Sequence, residues 1–168
     1  AVTDGYTPYV QACRSALAAG TGADDTTAAA LHAAFNRFRV LCALRDGPRG
    51  VAALNDGTSR RLRHAITGAA GDARTPWFAG RPVMVLRNDP ALKLFNGDIG
   101  ITLPGPDGAW RVVFPAAGDG GGWRALAPAR LPAHETAWAM TVHKAQGSEF
   151  DAVLLLLPAQ RSRVLSRE

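Results

Sequence analysis

The densest collection of reactive groups in this sequence is Thr141-Val-His-Lys-Ala-Gln-Gly-Ser-Glu-Phe-Asp151. One short stretch offers hydroxyls, an imidazole, an ammonium, a carboxamide, carboxylates and a bare glycine. Gly147 lets a backbone N–H come close to a phosphate, because no Cβ stands in the way. Glu149 is able to accept a hydrogen bond from a sugar hydroxyl. The stretch follows Thr136–Val142 and precedes the apolar run Ala152–Leu157, both of which read as buried strands. Ligands of open α/β sheets sit at the carboxyl ends of strands, and this stretch lies at such an end. The same spacing also fits an ordinary strand-to-helix turn with a solvated flank, so the residues alone leave a ligand loop and a plain connection open.

Other chemistries fit poorly. His143, Ser148 and Asp151 supply the side chains of a hydrolytic triad. A nucleophile needs a base that a third group orients, and so local a spacing does not arrange that. The histidines His32, His64, His134 and His143 show no i, i+4 pairing, which argues against a metal site and for mostly surface positions. Cys13 and Cys42 form no C-x-x-C pair, so neither a zinc site nor a disulfide scaffold is expected, and a reducing, cytoplasmic setting fits. No G-x-x-x-x-G-K-[ST] occurs, so nothing here wraps a triphosphate and holds Mg²⁺ as a P-loop does. Gly118-Asp-Gly-Gly-Gly122 lacks the lysine and a following helix and reads as a hairpin turn.

The elements that must position the stretch follow from periodicity. Tyr6, Tyr9, Val10, Cys13, Ala16 and Leu17 mark one face of a helix that should end near Gly20. Asp24 or Asp25 caps a second helix, on which Leu31, Ala34, Phe35 and Phe38 share a face. Arg39–Leu44 reads as a strand apolar on both sides, the kind found in helix-covered parallel sheets. Pro48 is placed to open a third helix with Val51, Leu54, Thr58, Leu62, Ala65 and Ile66 buried, ending at Gly68 and Gly71. From Trp77 to Leu131 the pattern changes to short alternating segments, Pro82–Arg87, Asp98–Leu103, Ala109–Phe114 and Trp123–Leu126. They are spaced by glycine-rich turns such as Asn96-Gly97, the pattern of a small antiparallel barrel. The chain is therefore expected to be α/β, residues 1–76 and 132–168, with 77–131 inserted as a β unit.

The chain has 168 residues, 47% of them hydrophobic, enough for a core without disulfide or metal staples. The longest apolar run falls far short of the ~20 residues that cross a bilayer, so no membrane partner is expected. Nineteen Lys and Arg against 14 Asp and Glu give +5, which leans toward a polyanion such as nucleic acid. Arg81, Arg87, Lys93, Arg111, Arg124 and Arg130, interleaved with Phe95, Trp110 and Trp123, suggest either a stacking surface for bases or simply a barrel core. Trp110 and Phe114 fit a core; Phe95 and Trp123 fit both. Arg60, Arg61 and Arg63 suit a solvated helix face, a DNA contact or a partner contact. The absence of an initiator Met, and a final Arg161–Glu168 without a helix cap, suggest a fragment of a longer protein.

Thr141–Asp151 closely resembles motif V of superfamily 1 helicases, in particular the RecD type, the alpha subunits of exodeoxyribonuclease V. Phe35–Arg45 with Gly47-Pro-Arg-Gly-Val51, Gly80-Arg-Pro-Val-Met84, Arg87-Asn-Asp89 and Leu94-Phe-Asn-Gly-Asp-Ile-Gly100 carry the same resemblance, which spans nearly the whole chain. It implies part of a RecA-like, P-loop-NTPase-type parallel-sheet domain interrupted by an SH3-like antiparallel β-barrel. It also implies ATP-driven 5′ to 3′ translocation on single-stranded DNA, in a complex with beta and gamma subunits that serves recombinational repair of double-strand breaks. By the resemblance Thr141, His143 and Lys144 would contact DNA, while Gln146, Gly147 and Glu149 would meet a nucleotide. Lys144 and Gln146 could serve either side. ATP and Mg²⁺ would be held mainly by the other domain of the parent. The chain stops where the family's arginine-bearing motif VI would begin, so on this expectation the fragment is not an enzyme by itself. The competing expectation is a basic SH3-like module that docks partner subunits without touching DNA.

Overall fold

The computed structural model describes residues 2–68, 74–116 and 121–158. The chain opens with α1 (Val2–Gly5), α2 (Thr7–Ala18) and α3 (Asp25–Asn36). Pro8 sits in the first turn of α2, where its missing N–H costs nothing. Asp24 caps α3 by accepting the Thr27 N–H at 2.9 Å. The stripe read from the sequence points inward: Tyr6, Tyr9, Cys13, Leu31 and Phe35 are buried. Tyr6, Tyr9 and Phe35 pack their rings around Trp138, which is fully buried. The Tyr6 hydroxyl donates to the Trp138 carbonyl and that of Tyr9 to the Gly80 carbonyl, so the helices are tied to distant parts of the chain.

The helices cover one face of a three-stranded parallel sheet. Its centre is β1 (Phe38–Cys42), flanked by two strands from near the far end of the chain. After β1 comes α4 (Val51–Thr67), capped by Gly50 and closed by Gly68 at φ 66°. Pro48 does not open this helix; the chain first makes the Gly47–Gly50 turn, closed by the Gly50 N–H on the Gly47 carbonyl. Gly71 lies outside the described residues.

The insertion forms β2 (Pro82–Val85), β3 (Ile99–Pro104), β4 (Trp110–Pro115) and β5 (Trp123–Leu126), and β6 (His134–Thr136) joins it. All neighbours are antiparallel, in the order β5-β4-β3-β2-β6. Gly100 is required here, since a Cβ would lie 2.6 Å from Val112 Cγ1 and 2.7 Å from the Phe114 ring. The expected closed barrel is an open sheet among the described residues, because β5 and β6 are both edges and do not pair. β6 has no length left for closure. Three residues after Thr136 the chain is already paired with β1 through β7 (Ala139–Thr141). The run Thr136–Val142, expected as one strand, is thus two strands in different sheets, with Ala137 and Trp138 turning between them. The Asn96-Gly97 turn ends an excursion over 86–98 rather than a tight two-residue hairpin, and of those two turn residues only Gly97 takes positive φ. β4 and β5 pair as the hairpin reading of Gly118–Gly122 requires; residues 117–120 are outside the described set.

β8 (Ala152–Leu156) completes the parallel sheet in the order β7-β1-β8. It is not the buried strand that its composition suggests. Leu154 and Leu156 pack inward, whereas Val153 and Leu155 are about half exposed, because β8 is an edge and none of the described helices lies over that face.

Candidate nucleotide and nucleic-acid loop

The loop between β7 and β8 is hooked at both ends. At its start, the Val142 N–H donates to the Cys42 carbonyl and the Lys144 N–H to the Thr141 hydroxyl at 3.3 Å. Residues His143–Ala145 make one 3₁₀ turn, and the Ser148 N–H closes on the Ala145 carbonyl at 3.0 Å. Ala145 is buried against Met84, Ala137 and Met140, so the turn is pinned by an apolar plug. At its end Phe150 packs into the same cluster, and the Ala152 N–H reaches the Arg37 carbonyl at 2.9 Å. Between these anchors His143, Gln146, Gly147, Ser148 and Glu149 face outward. Gly147 has φ 80° and open space where a side chain would be, so its backbone is free for a close approach.

Lys144 is half-buried, its ammonium 3.9 Å from Glu135, which also accepts from Arg45 at 2.9 Å. A cavity of about 380 Å³ opens on one flank of the loop, lined by Lys144, Ser148, Glu149, Phe150, Arg39 and Phe95 among others. Of the six residues singled out by sequence, Lys144 and Glu149 meet in this cavity. Thr141 is half-buried, and its hydroxyl is occupied by the Lys144 N–H. His143, Gln146 and Gly147 do not line the cavity and look out elsewhere.

Three residues that hold this loop in place escape the sequence reading. Asn55, on the inner face of α4, donates to the Thr136 and Ala139 carbonyls at 2.6 and 3.1 Å and accepts from the Ala139 N–H at 2.7 Å, fixing the strand that feeds the loop. Its signal was the i, i+4 spacing from Val51 into an otherwise apolar stripe. Arg39 is fully buried on β1, stacked at 3.9 Å over Phe35 and 5.0 Å from the Phe150 ring, with hydrogen bonds to Asn36 and the Ala137 carbonyl. No carboxylate pairs with it among the described residues, and burial holds its pKa below the usual arginine range. Glu135, the middle residue of β6, carries no motif signal at all.

The remaining basic and aromatic candidates divide. Arg124 donates to the Leu92 and Lys93 carbonyls, Arg111 pairs with Asp107 at 2.7 Å, and Arg81 donates to Thr136, so these arginines brace the sheet. Phe114 is core, Trp110 and Trp123 are half-buried, and Phe95 is 48% exposed at the cavity rim. His32 departs from the expected surface position: it is buried between Trp123 and the Val113 carbonyl, and desolvation pushes its pKa down to about 4. His64 and His143 are exposed. Among the described residues no cluster of His, Cys, Asp or Glu is built to hold a metal, and no helix is long and apolar enough to cross a membrane.

Residues 136–167, which contain the loop, match the UvrD-like helicase C-terminal domain. Over 158 residues, 94% of its length, the chain is 42% identical to the RecBCD enzyme subunit RecD of Mycobacterium tuberculosis H37Rv, of which it covers 25%. It is 38% identical over 141 residues to RecD of Haemophilus influenzae, covering 84% of this chain and 20% of that one. The ATP-dependent RecD2 DNA helicase of Deinococcus radiodurans is 33% identical over 132 residues, 77% of this chain and 17% of that one. The chain spans about a quarter or less of the length of these relatives.

Proposed function

Over 94% of its length and at 42% identity the chain is RecD-like, with a helicase C-terminal segment at residues 136–167, and from that premise we propose that it is part of an ATP-dependent 5′ to 3′ DNA helicase subunit of a RecBCD-type enzyme. The observation that carries the reading is the loop itself, rigidly anchored at Ala145 and Phe150 yet exposing His143, Gln146, Gly147 and Glu149 to solvent between two parallel strands. On this reading Thr141, His143 and Lys144 belong to the single-stranded DNA side, and Gln146, Gly147 and Glu149 to the nucleotide side. Gly147 would bring its backbone N–H to a phosphate and Glu149 its carboxylate to a ribose hydroxyl. The loop that wraps the triphosphate, and Mg²⁺ with it, lie in the rest of the parent, which supplies ATP hydrolysis. Closure on ATP would press on one flank of the loop and alter the grip on the strand at the other. The partners would be single-stranded DNA and the beta and gamma subunits.

The test is an anisotropy titration of the chain with a labelled oligothymidylate at several salt concentrations. Affinity should fall with salt at a slope of about −0.7 per phosphate neutralised. Binding indifferent to salt, or absent at high protein concentration, favours a module that docks protein partners instead.

A further inference from the structure

The chain carries +5 overall, yet a carboxylate stands between two cations at the carboxyl end of its parallel sheet. β1 and β7 are neighbours in that sheet, and Arg45 and Lys144 follow them in the chain by three residues each. Glu135 comes from the other sheet. It is the middle residue of β6 and lies opposite Met84 of β2, so the antiparallel ladder fixes where its side chain begins. Its Oε2 accepts from Arg45 Nη2 at 2.9 Å, whereas its Oε1 comes only within 3.9 Å of Lys144 Nζ. The first contact has the length of a charge-assisted hydrogen bond; the second is an ion pair without one. The side chains of Glu135 and Lys144 are only 20% and 22% exposed, so solvent screens their pairing less than that of an open surface pair. Among the described residues no other carboxylate pairs with the Lys144 ammonium.

This asymmetry makes the Lys144 contact the exchangeable one. The Lys144 backbone is fixed by its N–H on the Thr141 hydroxyl and by the buried Ala145 beside it, so the flexible stem alone carries the ammonium. When the ammonium swings away, Glu135 is not left as an unpaired half-buried charge, because Arg45 still holds its other oxygen. We propose that Glu135 is a positioning residue that acts as an internal counter-anion. In the strand-free protein it holds Lys144, and a strand phosphate engages that ammonium only by displacing the carboxylate. Glu135 then sets how readily the strand is released, not where it lies. The proposal rests on the placement of Lys144 on the DNA side of the loop. A protein that advances along a strand must let go of it in every cycle, and a carboxylate already in place takes up the ammonium as the phosphate leaves. The competing role is a plain brace, in which Glu135 merely ties β6 to the two loops.

The test measures oligothymidylate affinity and dissociation rate in the full-length parent protein, with thermal melts to confirm that each variant keeps its fold. Glu135→Gln keeps the shape and an acceptor for Arg45 but gives up the charge that holds Lys144. It should bind several-fold tighter, with the gain in slower dissociation, whereas loss of a plain brace would weaken binding or leave it unchanged. Glu135→Asp keeps the charge and withdraws it from the ammonium by one methylene, so it too should tighten binding. In a Lys144→Gln background Glu135→Gln should bring no gain. If Lys144→Gln weakens binding but Glu135→Gln does not tighten it, the counter-anion is refuted and the DNA-side placement of Lys144 stands. A gain that persists in the Lys144→Gln background, or that Glu135→Asp fails to share, assigns the effect to charge at a distance and overturns the proposal. If Lys144→Gln leaves affinity unchanged, that placement fails and the proposal falls with it.

Discussion

Asn55 concentrates the structural logic of the loop in one side chain. It is 7% exposed and makes three hydrogen bonds to the β6–β7 segment, two donated to carbonyls and one accepted from the Ala139 N–H. Asn55→Ala strands the buried N–H and carbonyl of Ala139, and with about 1–3 kcal/mol for each buried group left unpaired the expected loss is about 3 kcal/mol. In a domain of this size that lowers Tm by roughly 6–12 °C. Asn55→Asp is the sharper perturbation because it preserves shape. It keeps the bond from the Ala139 N–H but sets a carboxylate oxygen against two carbonyl oxygens where a donor stood. At pH 7 it should cost at least as much as alanine. The apposed acceptors and the burial raise the folded pKa of the new carboxyl above the ordinary value of about 3.9, so the protonated form, which can donate, is favoured in the folded state. The penalty therefore shrinks as pH falls through that raised value. Urea denaturation followed by circular dichroism at pH 7 and pH 4.5 should show the gap between Asn55→Asp and wild type narrowing by at least about 1 kcal/mol, under one pH unit's worth of linkage. A penalty below about 0.5 kcal/mol at pH 7, less than one ordinary hydrogen bond, or one that does not change with pH, refutes the assigned bonding.

His32 titrates near 4 in the fold against an ordinary 6.5, so the unfolded chain binds the extra proton between those values and stability falls as pH drops from 6.5 to about 4. His32→Gln, neutral throughout, should lose about 3 kcal/mol less than wild type over that interval in parallel denaturation curves; identical pH profiles would place the imidazole in solvent. Gly147→Ala puts a side chain at φ 80° in open space, so the fold should lose only about 1 kcal/mol, read as a small Tm shift. In the parent protein the same change should raise KM for ATP, and an unchanged KM removes Gly147 from the phosphate contact.

Much of this molecule is written in local pattern. The Tyr6, Tyr9, Cys13 stripe, the Asp24 cap and the four inserted strands are visible because each is a short-range periodicity or a turn preference. The Thr141–Asp151 stretch stands out because its polar, glycine-containing composition interrupts two apolar runs. What was hidden depends on long-range partners. The break between β6 and β7 is bridged by Asn55, 84 residues away from Ala139 in sequence, and no propensity in Thr136–Val142 marks it. His32 looks like a surface residue until the helices fold over it, since burial belongs to the packed layers and not to the residue. β8 misleads in the other direction: continuous apolar composition signals a strand buried on both faces only where both faces are covered.

The central claim is that the loop has a nucleic-acid side and a nucleotide side. Its most direct test compares His143→Ala and Glu149→Ala in the full-length parent protein, measuring single-stranded DNA affinity and ATP turnover for each. The loss should divide: His143→Ala loosens DNA with little change in KM for ATP, and Glu149→Ala impairs ATP turnover more than DNA affinity. The opposite division would show the two sides exchanged, and two variants indistinguishable from wild type in both assays would contradict the claim.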